Sequence, residues 1–371
     1  MARNVLILDN EFGMGGVEKK LYDFIARVDR SRFRIVACAL KDGGYFKDKL
    51  IAMGVPFYDG LLGHKFDVLA FPQLSRVLRK EKIDLIYTFG HPNTVLLSWL
   101  ARSRGLVKSF VVSYHATGTR ENRLVPAYLE PFVSRADALL ALADSHVHAL
   151  ARVEGLPAAK FTVIPNGVDL ERYRPGEDDG VRAGLGLGTG HVVFTTVASL
   201  KPVKGVDVLL AGIGPALGTN ERLRILLVGD GPDRAALEAA ARAFGERVVF
   251  AGLRDDVERI YRASDAVVLP SRSEAYPNVA LEAMASGLPV ITTDVGSVRD
   301  IVTDDTAVVV PPLDPAALAD AITALAADSE RRARMGRAGR ERVEARHDIA
   351  EMCRAREDLF ARLLGDERPT S

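Results

Sequence analysis

The sequence predicts an α/β chain made of two doubly wound parallel sheets. Three observations predict it. At 371 residues the chain is long for a single core, so two domains are the default. Short β-branched runs alternate with amphipathic segments through the first half. The same rhythm restarts after a stretch rich in glycine and charge, and such alternation means parallel sheets with helices on both faces, twice over.

The strands expected in the first half are Val5–Leu8, Arg34–Leu40, Asp84–Thr88, Ser109–Tyr114, Ala138–Ala141 and Thr162–Ile164. Between them lie helical patterns such as Glu18–Val28, where Leu21, Phe24, Ile25 and Val28 share one face. The stretch Tyr173–Gly190, low in periodic apolar residues, reads as a linker. Beyond it the expected strands are Val192–Val197, Arg222–Val228, Arg247–Phe250, Ala266–Leu269, Val290–Thr292 and Ala307–Val310. After Pro315 the pattern is helical, ending in an amphipathic helix over Ile349–Leu364. The expected domains are 1–170, joined by 349–371, and 171–348. Doubly wound sheets bind ligands beyond the carboxyl ends of their strands, so the expected active site is a cleft between two facing domains.

Composition narrows the functional classes. Cys38 and Cys353 are the only cysteines and have no metal-ligand spacing, which fits a reducing cytosol. The N-terminal MARNVLILDN reads as a strand and not as a signal peptide, and no apolar run approaches the roughly 18–20 residues that span a bilayer. Net charge is zero, yet residues 1–172 carry a net +6 and residues 173–371 a net −6. A basic first half suits an anionic acceptor or peripheral contact with an anionic membrane surface. Nothing points to nucleic acid.

Six motifs carry chemistry. After the first strand comes Asn10–Glu18, whose Gly15 and Gly16 let a loop pass close to a phosphate or sugar at a helix start. It is not a dinucleotide fingerprint, because Glu18 stands where glycine or alanine is needed. His115 follows the strand Ser109–Tyr114, with Arg120 and Arg123 just beyond as candidates for an anionic acceptor. In SLKPVKGVDVLL, Lys204 opens a helix, where its charge adds to the helix dipole to favour a diphosphate, and Lys201 is a second cation. LLVGDGPDR and the loop Gly252–Arg254 follow two further strands; the latter suits a flat base held by backbone groups. Last, 270–293 sets Glu274 and Glu282 around a turn. Pro277 is expected there at the first helical position, leaving amides to face an anion. No Asp-x-Asp triplet or other divalent-ion cluster occurs, so no metal and no cofactor is expected.

Together GMGGVEKKL, His115, VIPNGVDLERY, SLKPVKGVDVLL, LLVGDGPDR and the segment around Glu274 and Glu282 resemble the retaining glycosyltransferase family 4, of the GT-B fold, over nearly the whole chain. The resemblance implies two Rossmann-like domains and a terminal helix that crosses back to the first. It implies that Glu282 accepts hydrogen bonds from a ribose, that Glu274 faces the transferred sugar, and that Lys204 and the turn Tyr276, Pro277, Asn278 and Val279 hold a diphosphate. Leu253 would carry the base; Ser199, Lys201 and Asp230 would line the donor site; Gly15, Gly16 and His115 would serve the sugar and phosphate.

The implied activity is metal-independent transfer, with retention, from a nucleoside diphosphate sugar to a carbohydrate or lipid-linked acceptor. UDP is the expected nucleotide. The setting would be cell-envelope polysaccharide, lipopolysaccharide or glycolipid synthesis on the cytoplasmic side of a membrane. Three residues depart from the family pattern: Ser199 in place of an arginine, Ala275 in place of a glycine and Ala116 in place of an aspartate. They keep open a catalytically silent nucleotide-sugar-binding protein. Another GT-B enzyme, such as a nucleotide-sugar 2-epimerase or a phosphorylase, also stays open.

Overall fold

The computed structural model describes residues 2–62, 70–116 and 126–366. They form two compact units, one running to Asn166 and taken up again from Ile349, the other Gly167–Asp348. The second unit begins at Gly167 because Val168 pairs with Asp348 and its amide donates to the His347 carbonyl at 2.7 Å.

Among the described residues the first unit has seven strands: β1 (Arg3–Asp9), β2 (Phe33–Ala39), β3 (Phe57–Tyr58), β4 (Leu85–Phe89), β5 (Ser109–Ser113), β6 (Ala138–Ala141) and β7 (Phe161–Val163). All pair in parallel, in the order β3-β2-β1-β4-β5-β6-β7. The second unit holds β8 (Val192–Val197), β9 (Leu223–Val228), β10 (Val248–Gly252), β11 (Ala266–Leu269), β12 (Val290–Thr293) and β13 (Ala307–Val310), also parallel, in the order β10-β9-β8-β11-β12-β13. Each chain path winds outward, returns and winds the other way, so each sheet has a switch point, between β1 and β4 and between β8 and β11. A crevice opens at such a point, beyond the strands' carboxyl ends, and there ligands bind.

Strands covered on both faces read as unbroken apolar runs. Val5, Leu6, Ile7 and Leu8 are all fully buried, odd and even positions facing different clusters. The helix Ile349–Leu363 completes one face of the first sheet, with Met352, Cys353 and Phe360 in its core. Phe360 meets Phe24, Phe33 and Tyr87 edge-on at 5.5–6.1 Å between ring centres. Burying such a ring is worth roughly 1.5–3 kcal/mol, which accounts for the chain's return to its first unit.

Two expectations change. The predicted linker Tyr173–Gly190 contains a helix, Asp179–Gly184, capped by the Asp178 carboxylate, which accepts from the Val181 amide at 3.0 Å. Val181, Leu187 and Tyr173 are buried, so three scattered apolar residues, too few to show a period, pin the segment to the second unit. Pro277 sits one place earlier than predicted, at the N-cap (φ −74°, ψ 96°) of the helix Asn278–Ala285. Its fixed φ suits either place, and its extended ψ keeps it outside the helix.

Candidate active site

The second sheet's switch point collects the charged motif residues. Gly205 (φ +65°) ends the turn after β8 and begins the helix Val206–Thr219. A Cβ there would overlap the carbonyl oxygen of Pro270, so glycine lets the loop after β11 lie directly on this turn. The Arg272 amide donates to the Val203 carbonyl at 2.8 Å, tying the two loops together.

Across that junction Lys204 Nζ stands 2.7 Å from Glu274 Oε1, which also accepts from Ser271 Oγ at 2.7 Å. Ser271 is anchored in turn by Thr293 Oγ1, which donates to its carbonyl at 2.6 Å. The side chains of Lys204 and Glu274 are 28% and 16% exposed, accessible to a ligand yet held. Gly296 (φ +57°) packs beneath the Glu274 carbonyl, and the Ser297 amide donates to Ala275 O at 3.1 Å.

Glu282, inside the helix Asn278–Ala285, is buried and accepts from the Tyr261 hydroxyl at 3.3 Å. Pro277 has no N–H, so it offers an anion nothing, and helix geometry leaves the Val279 amide without an intrahelical acceptor. Tyr276 points elsewhere: it is buried, with its hydroxyl 3.3 Å from His347 Nδ1.

The remaining residues expected at the donor site follow the ends of β8, β9 and β10 in the second unit. Ser199 and Lys201 are exposed in the turn after β8, the Lys201 amide donating to Ser199 O at 2.8 Å. Asp230, after β9, accepts from the Gly231 amide at 2.7 Å and from Arg234 at 3.3 Å. Leu253, after β10, is 62% exposed, an apolar side chain open to a flat partner. Its neighbour Arg254 is forked onto Asp256 at 2.6 and 2.7 Å.

In the first unit Gly15 is the exposed N-cap of the helix Gly16–Arg27. His115, half-buried at the end of β5, has Nε2 2.9 Å from Ser113 Oγ and its ring 5.4 Å from that of Phe89. Burial, then the positive Arg356, push His115 down to about 3, so its imidazole is neutral at physiological pH. Behind it, His146 accepts from the Leu142 amide through Nδ1 (3.3 Å) and donates through Nε2 to the Ala116 carbonyl at 3.0 Å. Arg120 and Arg123 lie outside the described residues.

The motif reading missed a second pair of groups. Asp9 ends β1, and His91 follows β4 across the switch point, with Nε2 3.5 Å from Asp9 Oδ1. Both carry the same signal as His115, a titratable residue at or just past a strand's carboxyl end, but their pairing depends on strand order. Burial, reinforced by the negative Glu18 and Glu11, pushes the 2%-exposed Asp9 up to about 7, although the Asn10 amide donates to it.

The folded chain holds a proton that the unfolded chain has lost, so stability from Asp9 is full below about pH 4 and disappears as pH rises through about 7. Trp99, the single tryptophan, lies in the first unit against Phe132 and reports its unfolding. Relative to Asp9→Asn, the parent's urea midpoint by Trp99 fluorescence is expected to fall between pH 4.5 and 7 and then stay level. A rising or flat difference over that interval would refute the assignment.

The sequence pattern described as Glycosyl transferases group 1 matches residues 191–328, and that of Glycosyltransferase Family 4 matches 14–172. A D-inositol 3-phosphate glycosyltransferase of Nocardia farcinica is 32% identical over 307 residues, 75% of this chain and 68% of that protein. The protein of the same description from Saccharomonospora viridis is 33% identical over 67% of this chain and 63% of its own length. The alignment with that of Rhodococcus erythropolis, 39% identical, spans 44% of this chain and 40% of the relative. Among solved structures, HepE of Anabaena in complex with UDP superposes with a TM-score of 0.83 at 22% identity, covering 97% of this chain and all of that one. WaaG, a glycosyltransferase involved in lipopolysaccharide biosynthesis, does so with a TM-score of 0.74 at 18% identity over 96% and 99%. The two parallel-sheet units and these matches agree: the chain belongs to the group 1 glycosyltransferases, family 4, with the GT-B fold.

Proposed function

We propose that this glycosyltransferase moves a sugar, with retention at the anomeric carbon, from a UDP-sugar to a carbohydrate or lipid-linked acceptor. The reading rests on one observation: Lys204 and Glu274 meet at 2.7 Å at the second sheet's switch point, and the helix that follows carries a buried Glu282. A cation for the leaving diphosphate, a carboxylate for the sugar and a carboxylate for the ribose are thus collected in one unit. UDP is supported by the fold match to HepE, described with UDP and with UDP-glucose.

Breaking the glycosyl–phosphate bond puts negative charge on the diphosphate and positive charge on the sugar ring. We assign the first to Lys204, helped by the amides at the start of the helix Asn278–Ala285 and by Lys201 in the turn that lacks the family's arginine. Lys204 and Glu274 neutralise each other in their ion pair, and a bound donor would offer the lysine a diphosphate and the carboxylate a sugar. Leu253 packs the base. Neutral His115, a hydrogen-bonding group without charge, suits a sugar hydroxyl, as do the loop amides near Gly15 and Gly16.

The names of the Nocardia and Saccharomonospora relatives add a phosphorylated cyclitol to the candidate acceptors, which suits the first half's net +6. Among the described residues no helix is long and apolar enough to cross a membrane, and no group of three His, Cys, Asp or Glu could hold a metal ion. Action on the cytoplasmic side and independence of metal belong to this proposal.

The test is a screen of UDP-, GDP- and ADP-sugars by thermal shift, followed by product analysis with sugar, glycolipid and inositol phosphate acceptors under chelation. A donor at about 100 times its Kd adds roughly 2.7 kcal/mol of stability, which UDP-sugars are expected to show and Glu282→Ala to lose. Release of free sugar or an epimer in place of a glycosylated acceptor would favour the epimerase or phosphorylase reading. Binding with neither transfer nor donor hydrolysis would favour a silent binder. A strict Mg²⁺ requirement would overturn metal independence.

A further inference from the structure

We propose that Tyr261 is a positioning residue of the donor site, a hydrogen-bond donor that holds the Glu282 carboxylate in the orientation from which it meets the diol of a nucleotide's ribose. The inference rests on the ribose role proposed for Glu282 and adds a residue from a different helix. Tyr261 lies on Val257–Arg262, which leads into β11, and Glu282 lies on Asn278–Ala285, which leaves it. The phenol hydroxyl is 3.3 Å from Glu282 Oε2.

Both groups are removed from solvent, Tyr261 at 0% and Glu282 at 6% exposure. A buried carboxylate is costly unless donors reach it, and a glutamate has three side-chain torsions with which to miss a ligand. A tyrosine has two, and this ring is wedged against that of Tyr173, centres 6.0 Å apart at 55°. Burial, followed by the negative Glu282, holds the phenol well above its usual pKa of 10, so it remains a donor at every working pH. If volume alone mattered, phenylalanine would fill the same space without a polar atom. The hydroxyl's use is the carboxylate, and the carboxylate's use is a ligand.

The experiment measures binding of UDP, GDP and ADP, and of their 2′,3′-dideoxy counterparts, by calorimetry. The proteins are the parent, Tyr261→Phe, Glu282→Gln and the double variant. For the nucleotide the parent binds most tightly, Tyr261→Phe is expected to weaken binding about 3–10-fold. It is expected to raise the donor KM by the same factor with kcat within about twofold. The loss should vanish for the dideoxy nucleotide, and equally when Tyr261→Phe is added to Glu282→Gln. Equal losses for ribose and dideoxy nucleotides, or a loss undiminished on the Glu282→Gln background, would make Tyr261 merely structural and overturn the proposal. If Glu282→Gln binds the ribonucleotide as tightly as the parent, the ribose reading itself falls. If Tyr261→Phe alone binds like the parent, only the positioning role falls.

Discussion

Lys204→Ala is expected to lower the rate of sugar transfer at saturating donor by about 10²–10³-fold, the effect of losing one preorganised donor to a developing anion, roughly 2.7–4 kcal/mol. Two consequences of the geometry make this the largest single side-chain effect. First, Lys204 is in direct contact with Glu274, 2.7 Å away, the carboxylate proposed to face the donor sugar. Arg272, the nearest alternative in the loop, is already forked onto Asp207 at 2.6 and 2.7 Å.

Second, removing the lysine leaves the Glu274 carboxylate, still held by the Ser271 hydroxyl, with a negative charge that the proposed diphosphate would meet. Nucleotide affinity should therefore fall as well, by at least tenfold in calorimetry. Lys204→Arg is expected to recover part of the binding but less of the rate, because a guanidinium keeps charge without the compact ammonium's placement. Steady-state kinetics showing Lys204→Ala within threefold of the parent would remove Lys204 from the diphosphate role.

How much of this was legible in the sequence depends on whether a feature is local. Strands such as Val5–Leu8 and Val192–Val197 were readable because a parallel strand buried on both faces is a continuous apolar run. β3, only Phe57–Tyr58, carries no such run, and the helix Asp179–Gly184 is hidden by glycine and charge around one buried valine. In the site, Lys204, Glu274 and Glu282 were legible because each follows a strand end at a motif's spacing. Their mutual contacts were not. That Lys204 reaches Glu274, or that His91 lies beside Asp9, follows from which strands are neighbours, and strand order is a long-range property. Tyr261 gave no signal at all, since a tyrosine beside an isoleucine in a short helix reads as core until its hydroxyl is seen 3.3 Å from a carboxylate.

Gly296→Ala is expected to weaken donor binding at least tenfold while leaving the second unit folded. The residue has φ +57°, where a Cβ costs about 1–2 kcal/mol, and that Cβ would also overlap the backbone oxygen of Glu274. Backbone cannot rotate away as a side chain can, so the loop after β11 must move. That loop carries Glu274 towards Lys204 and hands the chain to the helix that holds Glu282.

Gly186→Ala separates the two effects. Gly186 also has a left-handed φ, +69°, in the same unit, but nothing lies within 4 Å of its Cβ position. It should lower the melting temperature by the conformational cost alone and bind UDP like the parent. Gly296→Ala should lower it further and lose at least tenfold in UDP affinity. If the two variants bind UDP equally well, the close approach beneath Glu274 does not set the donor loop, and the carboxylate's place must be held by its side-chain bonds to Lys204 and Ser271.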